Sequence, residues 1–186
     1  PIISPPAVSF HPKKGQLIMF GTGKYLETAD TTNTSTQSIY GLWDLNTPAT
    51  ITAGMLVQQV MTDATVRTAT QNQVTYSDTI KGWYINLPVS GERITGVPML
   101  EDGILLFTTI VPSASPCDFG GRGFANALDF LTGSMLAFPA FDINRNRVLS
   151  LDDGLSAGVE IGFSVGGGTR IRGSADDLLV SSRADG

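Results

Sequence analysis

The densest run of regularly spaced oxygen-bearing side chains is Asp142-Ile143-Asn144-Arg145-Asn146-Arg147-Val148-Leu149-Ser150-Leu151-Asp152-Asp153. Calcium takes roughly six to eight oxygen ligands, and an EF-hand-type loop supplies them from about positions 1, 3, 5, 7, 9 and 12. Counting from Asp142, those positions hold Asp142, Asn144, Asn146, the carbonyl of Val148, Ser150 (directly or through water) and Asp153. Leu149 follows as the apolar anchor. Arg147 stands where the sharp turn favours Gly, and Asp153 stands where a longer Glu is usual. With two carboxylates and two nearby arginines, the spacing predicts a weak site suited to extracellular calcium. The alternative is a polar turn in which the Asn side chains cap their own backbone.

Other chemistry is thinly provided for. The chain has one cysteine, Cys117, and one histidine, His11. An internal disulfide is excluded, and zinc would have only one thiolate and one imidazole to choose from. A Cys–His pair or a Ser-His-Asp triad would need His11, which is expected in a surface turn, Phe-His-Pro-Lys. Gly21-Thr22-Gly23-Lys24 lacks the spacing of a phosphate loop, and Gly166-Gly167-Gly168 lacks a strand–turn–helix setting. Both read as turns. Asp118, Asp129, Asp176 and Asp177 read as solvated turn carboxylates rather than an acid/base pair.

These residues must be held by short extended elements. The chain has 186 residues, 41% hydrophobic and 16% charged, with 21 Gly and 10 Pro. That composition suits many short strands joined by turns and disfavours helical bundles. A formal charge of −5, with four Lys, eight Arg and no basic run, excludes a nucleic-acid groove and disfavours anionic membranes. Apolar runs such as 104–110 are too short to span a bilayer. The opening Pro1-Ile2-Ile3-Ser4-Pro5-Pro6 predicts a processed or excised piece of something larger.

Strands are expected at 16–20, 39–43 and 103–110, and residues 55–70 are mainly strand because β-branched residues dominate there. Residues 126–130 and 134–138 read as a hairpin across Leu131-Thr132-Gly133. Runs apolar on both faces imply sheets packed face to face. Residues 30–38 form a polar loop without apolar anchors, a plausible contact surface. Residues 15–23 and 102–109 echo one another as turn, Gly, apolar strand, small polar end. Such units suit an all-β, β-propeller-like fold with blades of about 40–50 residues, so the chain supplies three or four blades of a larger propeller.

Ile18-Met19-Phe20-Gly21-Thr22-Gly23-Lys24-Tyr25-Leu26, then Asp30, then 37–44 (Gln-Ser-Ile-Tyr-Gly-Leu-Trp-Asp) resembles the PilY family of type IV pilus biogenesis and tip-adhesin proteins. The likeness continues through Gly82-Trp83-Tyr84-Ile85-Asn86-Leu87-Pro88, Gly91-Glu92-Arg93-Ile94 and Val97-Pro98. It runs on through 107–112, Cys117, Gly120-Gly121 and 128–133, so that it covers about residues 17 to 181.

The resemblance implies a modified propeller, with residues 1–186 forming a single fragment of it and the EF-hand-like loop at 142–153. It implies a non-enzymatic protein exported to the cell surface, at the pilus tip or outer membrane, that acts in pilus biogenesis, retraction control, twitching motility and adhesion. Its implied partners are pilus subunits (minor pilins), a host or abiotic surface and the rest of the propeller. Its implied cofactor is calcium, carried over to Asp142, Asn144, Asn146, Val148, Ser150 and Asp153. Two other readings stand beside it. One is a quinoprotein-type propeller oxidoreductase, from the partial match of Ala127-Leu128-Asp129-Phe130-Leu131-Thr132-Gly133; the other is an inert scaffold fragment.

Overall fold

A computed structural model describes residues 1–113 and 121–161, and the backbone of 169–172 and 177–180. Among these residues there is no α-helix; the regular elements are strands and short 3-10 helices. The first sheet holds β1 (Ala7–Phe10), β2 (Gln16–Gly21), β3 (Ser38–Asp44), β6 (Gly82–Asn86) and β4 (Leu56–Val60), in that order. The second holds β7 (Met99–Glu101), β8 (Ile104–Val111), β9 (Arg122–Asp129), β10 (Gly158–Glu160) and β5 (Val66–Arg67). A separate ribbon pairs β11 (Thr169–Arg172) with β12 (Asp177–Val180).

The two sheets repeat one plan. Each opens with a three-strand antiparallel meander and adds a fourth strand beside the third. The fifth strand of both comes from one stretch of chain, with β4 running parallel to β6 and β5 antiparallel to β10. The echo in the sequence marks this repeat, because 15–23 contains β2 and 102–109 contains most of β8. Asp102 and Gly103 join β7 to β8 with φ of 49° and 82°, the backbone sense a two-residue hairpin turn requires. The strand reading of 55–70 holds, since β4 and β5 lie there with a further bridge between Met61 and Ala69.

The sheets pack face to face. β2 alternates buried and half-buried residues, sending Leu17 and Met19 inward. They meet Ile39, Trp43, Trp83 and Ile85 of their own sheet, and Leu105, Phe107 and Leu128 of the other, in one apolar cluster. Trp83 is its largest fully buried member. Its indole N–H donates to the Phe130 carbonyl at 3.0 Å, so the polar handle is satisfied in the core. Two glycines make room for the ring. A Cβ on Gly41 would lie 2.4 Å from it, and one on Gly133 (φ 65°) would lie 2.2 Å away. On the other face of the first sheet, Phe20, Tyr40 and Tyr84 stack across three strands at 5.4 and 6.0 Å.

The second half of the expected 126–138 hairpin does not form. One edge of β9 is held by β8; the other is taken by β10 at Phe124–Asn126 and by the Ala157 carbonyl at Ala127, so the return segment keeps only the bond from the Asp129 N–H to the Ser134 carbonyl at 3.0 Å. Asp129 closes the turn instead, accepting the Thr132 N–H at 2.8 Å and its hydroxyl at 2.7 Å. Residues 134–141 then cross the outer face of the second sheet, where Leu136 packs against Leu106 and Ala127.

The polar loop at 30–38 is also better anchored than its composition indicates. Arg93 is buried and donates to the carbonyls of Lys24, Asp30 and Asn33 at 2.7–2.9 Å. Asp30, also buried, accepts the N–H groups of Leu26 and Glu27. Those N–H bonds, the Leu26 one foremost, hold its carboxyl below the usual range against the opposing effect of burial, and Lys24 beside it adds to them.

Candidate metal loop

All six predicted ligand positions lie on one loop that follows the crossing segment and leads into β10. Its shape comes from side chains that accept the N–H groups of its own backbone. Asp142 takes the N–H of Asn146 at 3.2 Å on one oxygen and that of Arg147 at 2.8 Å on the other. Asn144 takes the N–H of Asn146 at 3.0 Å, and Asn146 takes that of Val148 at 2.7 Å. Alternate Asx residues thus fold the chain back at every second step.

Asp153 ties the far end to the near end. One oxygen accepts from Ile143 and Asn144 at 2.9 and 3.2 Å, and the other accepts from Ser150 at 2.9 Å. Ser150 and Asp153 also form a capping box on the 3-10 turn Leu151–Asp153. The Ser150 N–H is the main cause holding the Asp153 carboxyl below its ordinary range. Burial opposes it, and the Asn144 and Ile143 N–H groups add to it.

Arg147 occupies the glycine position at φ 67°, and Arg145 has φ 59°. The backbone therefore takes the sharp turn that position calls for, with arginine bearing the strain. Leu149 departs from expectation. It is 52% exposed and anchors nothing, because the loop is closed by hydrogen bonds rather than by an apolar contact. Among the described residues no three His, Cys, Asp or Glu side chains gather as a metal cluster. An ion here would rely on two carboxylates, two amides, a hydroxyl and a carbonyl. An all-oxygen set of this kind fits a hard cation such as calcium.

The other candidates are used in structure. His11 is buried, not a surface residue, and lies 4.8 Å from the Trp43 ring and 4.4 Å from the Tyr76 ring. The Lys13 N–H donates to its Nδ1 at 3.2 Å. Burial chiefly, then the charge of Lys13, pushes its pKa down. The Tyr76 hydroxyl donates to the Leu131 carbonyl at 2.6 Å, and burial, then Asp129, pushes its pKa up. Cys117, Asp118, Asp176 and Gly166-Gly167-Gly168 lie outside the described residues, and Asp177 begins β12.

Sequence reading missed the most buried charges. Arg67 and Glu92, both fully buried, meet through two bonds of 2.6 and 3.0 Å. Thr109 also donates to Glu92, the Arg67 guanidinium carbon lies 3.3 Å from the Phe124 ring centroid, and Asn126 accepts at 3.4 Å. Nothing in the spacing of 67 and 92 signals this pairing.

Two open sheets of blade-like order, face to face and unclosed, define part of a β-propeller. Residues 1–78 match the family model described as PilY1 beta-propeller domain. The type IV pilus biogenesis factor PilY1 of Pseudomonas aeruginosa PAO1 is 34% identical over 178 residues, covering 80% of this chain and 15% of that protein. A PilY1 homolog of Xylella fastidiosa Temecula1 is 30% identical, covering 72% of this chain and 10% of that protein. The crystal structure of the Pseudomonas aeruginosa PilY1 C-terminal domain matches with a TM-score of 0.81 and 27% identity, over 97% of this chain and 43% of that one. The chain belongs to the PilY1 family. It spans a small part of the curated relatives it matches, 15% of the Pseudomonas protein and 10% of the Xylella one.

Proposed function

We propose that this chain serves type IV pilus biogenesis as a non-enzymatic propeller segment of an exported protein, at the pilus tip or the outer membrane. The observation that carries the reading is 34% identity, over 80% of the chain, to a protein named as a type IV pilus biogenesis factor. In this reading its partners are pilus subunits (minor pilins), the remainder of the propeller, and the host or abiotic surface to which the pilus adheres. Among the described residues no helix is long and apolar enough to cross a membrane. The non-enzymatic reading is supported by the packing role of His11 and by the use of Asp129 and Thr132 to close a turn. The latter accounts for the quinoprotein-like motif without a cofactor.

The loop at 142–153 is the calcium site of this reading, with Asp142, Asn144, Asn146, the Val148 carbonyl, Ser150 and Asp153 as ligands. Bound calcium would supply positive charge to offset the two carboxylates. The chain's own residues prepare the loop. Asp142 and Asp153 collect backbone N–H groups, and Arg147 holds the turn at positive φ. Ion occupancy then biases loop conformation, and through it retraction control, twitching motility and adhesion.

The test is thermal unfolding of the parent and Asp142→Ala in excess calcium and in chelator. At 100 times the dissociation constant, an ion held only by the native state adds about 2.7 kcal/mol. For this chain length that is about 5–10 °C. The parent is expected to show the calcium-specific shift and the variant to lose it, with its chelator melting curve close to the parent's. A variant that binds calcium like the parent would overturn the ligand assignment.

A further inference from the structure

The two sheets turn unequal outer faces away from their shared core. Residues 134–141 cross the outer face of the second sheet, where Leu106, Ala127 and Leu136 are buried. The outer face of the first sheet is just as apolar but only half-buried. Register sets Phe20 beside Tyr40 and Tyr40 beside Tyr84, the rings that stack across β2, β3 and β6. Two residues along each strand, Leu42 and Leu56 flank Gly82 on the same side of the sheet. Each of these five large side chains is half-buried.

Together they form one concave surface. Gly82 adds no side chain between the two leucines, and a Cβ there would lie 2.0 Å from the Gly41 carbonyl oxygen. Leu42, Leu56 and the ring stack line a hollow of about 320 Å³, walled on its far side by residues 51–53, and no charged residue lines it. An apolar sheet face of this kind resembles an interior cut in half.

The surroundings select the occupant. The uncharged lining offers nothing to hold an ionic partner, and the inner face of the same sheet already packs on a second sheet. Both sheets are unclosed, and a propeller is completed by further blades. The Pseudomonas aeruginosa domain matches 97% of this chain with 43% of its own length, so more than half of that domain lies beyond the matched part. We propose that another sheet of the same propeller, supplied by chain outside residues 1–186, packs on the outer face of the first sheet and seats a large apolar side chain in the hollow. This rests on the reading of the chain as a segment whose partner is the remainder of the propeller, and it is independent of the calcium site.

The test uses the full-length protein, in which residues 1–186 are joined to the rest of the chain. Thr52→p-benzoylphenylalanine and Ala53→p-benzoylphenylalanine each place a photo-cross-linker on the exposed rim of the hollow. Phe138→p-benzoylphenylalanine places one on the segment that crosses the second sheet, where Phe138 is exposed. After irradiation and digestion, mass spectrometry identifies the peptide that each probe has met. Position 52 or 53 is expected to cross-link, within one chain, to a peptide outside residues 1–186, and to lose that product when the protein is unfolded in urea first. A product that joins two copies, products confined to residues 1–186, or no product from either rim position would overturn the inference. A cross-link to the remainder from position 138 but from neither rim position would overturn it while leaving the propeller reading intact. Failure of all three positions to meet the remainder would remove both.

Discussion

The buried pair of Arg67 and Glu92 offers the sharpest test of what holds the far edge of the second sheet. Arg67 sits on β5 of the second sheet, and its partner Glu92 lies in the turn before the bridge of Arg93 to Ile110. Both side chains are fully buried, with two contacts of 2.6 and 3.0 Å. Their attraction near a protein surface is about 4 kcal/mol at ~4 Å, while desolvation costs several kcal/mol per ion. The pair is close to break-even against an apolar replacement, yet costly to break from one side. Glu92→Gln leaves the guanidinium uncompensated and should cost about 3–5 kcal/mol, a fall in Tm of roughly 6–20 °C at this chain length. Arg67→Met with Glu92→Leu removes both charges. It leaves Asn126, Thr109 and the Val89 N–H without these partners, and should still be more stable than Glu92→Gln alone. Urea denaturation of the parent, both single variants and the double variant closes the cycle. A Glu92→Gln loss below about 1 kcal/mol, or a double variant weaker than that single one, would refute the reasoning.

Two further outcomes follow from the core. The pKa of His11 is lowered from 6.5 by burial, so the unfolded chain binds its proton more readily than the folded chain does. Stability should be fully present above pH 6.5, decline as pH falls through that value, and level off below the folded pKa; urea midpoints against pH should show this step, and His11→Phe should lack it. Gly133→Ala combines positive φ with a Cβ 2.2 Å from the Trp83 ring, and should cost about 2–5 kcal/mol from strain and overpacking. Denaturation followed by tryptophan emission reads that loss, and a variant as stable as the parent would place Trp83 elsewhere.

Much of the strand pattern is legible because it is local. β2 and β8 announce themselves as apolar runs after Gly15 and Gly103, and the Asp102-Gly103 turn needs only backbone geometry. The loop at 142–153 is legible for the same reason, since every contact that shapes it lies within twelve residues. What resists reading is set by distant partners. Ser134–Phe138 has the composition of a strand, but the free edge it would need on β9 is taken by β10, about thirty residues further along. His11 looks like a turn residue until Trp43 and Tyr76 close over it. Arg67 and Glu92 resemble any exposed pair of charges until β5 is placed in the second sheet. Leu149 matches the anchor position of a calcium loop, but no apolar surface lies beneath it.

The stretch from β4 to β5, which supplies the fifth strand of both sheets, also sets an order of events. β4 can dock on β6 as soon as residues 82–86 are available, whereas β5 must wait for Gly158–Glu160. Closing that long loop is entropically late, and non-local strand pairing of this kind is slow. During the delay Arg67 stays hydrated, because burying its charge without Glu92 is prohibitive. The arginine thus bars its short strand from settling in the wrong apolar surface, and its burial against Glu92, Phe124 and Asn126 comes with completion of the second sheet.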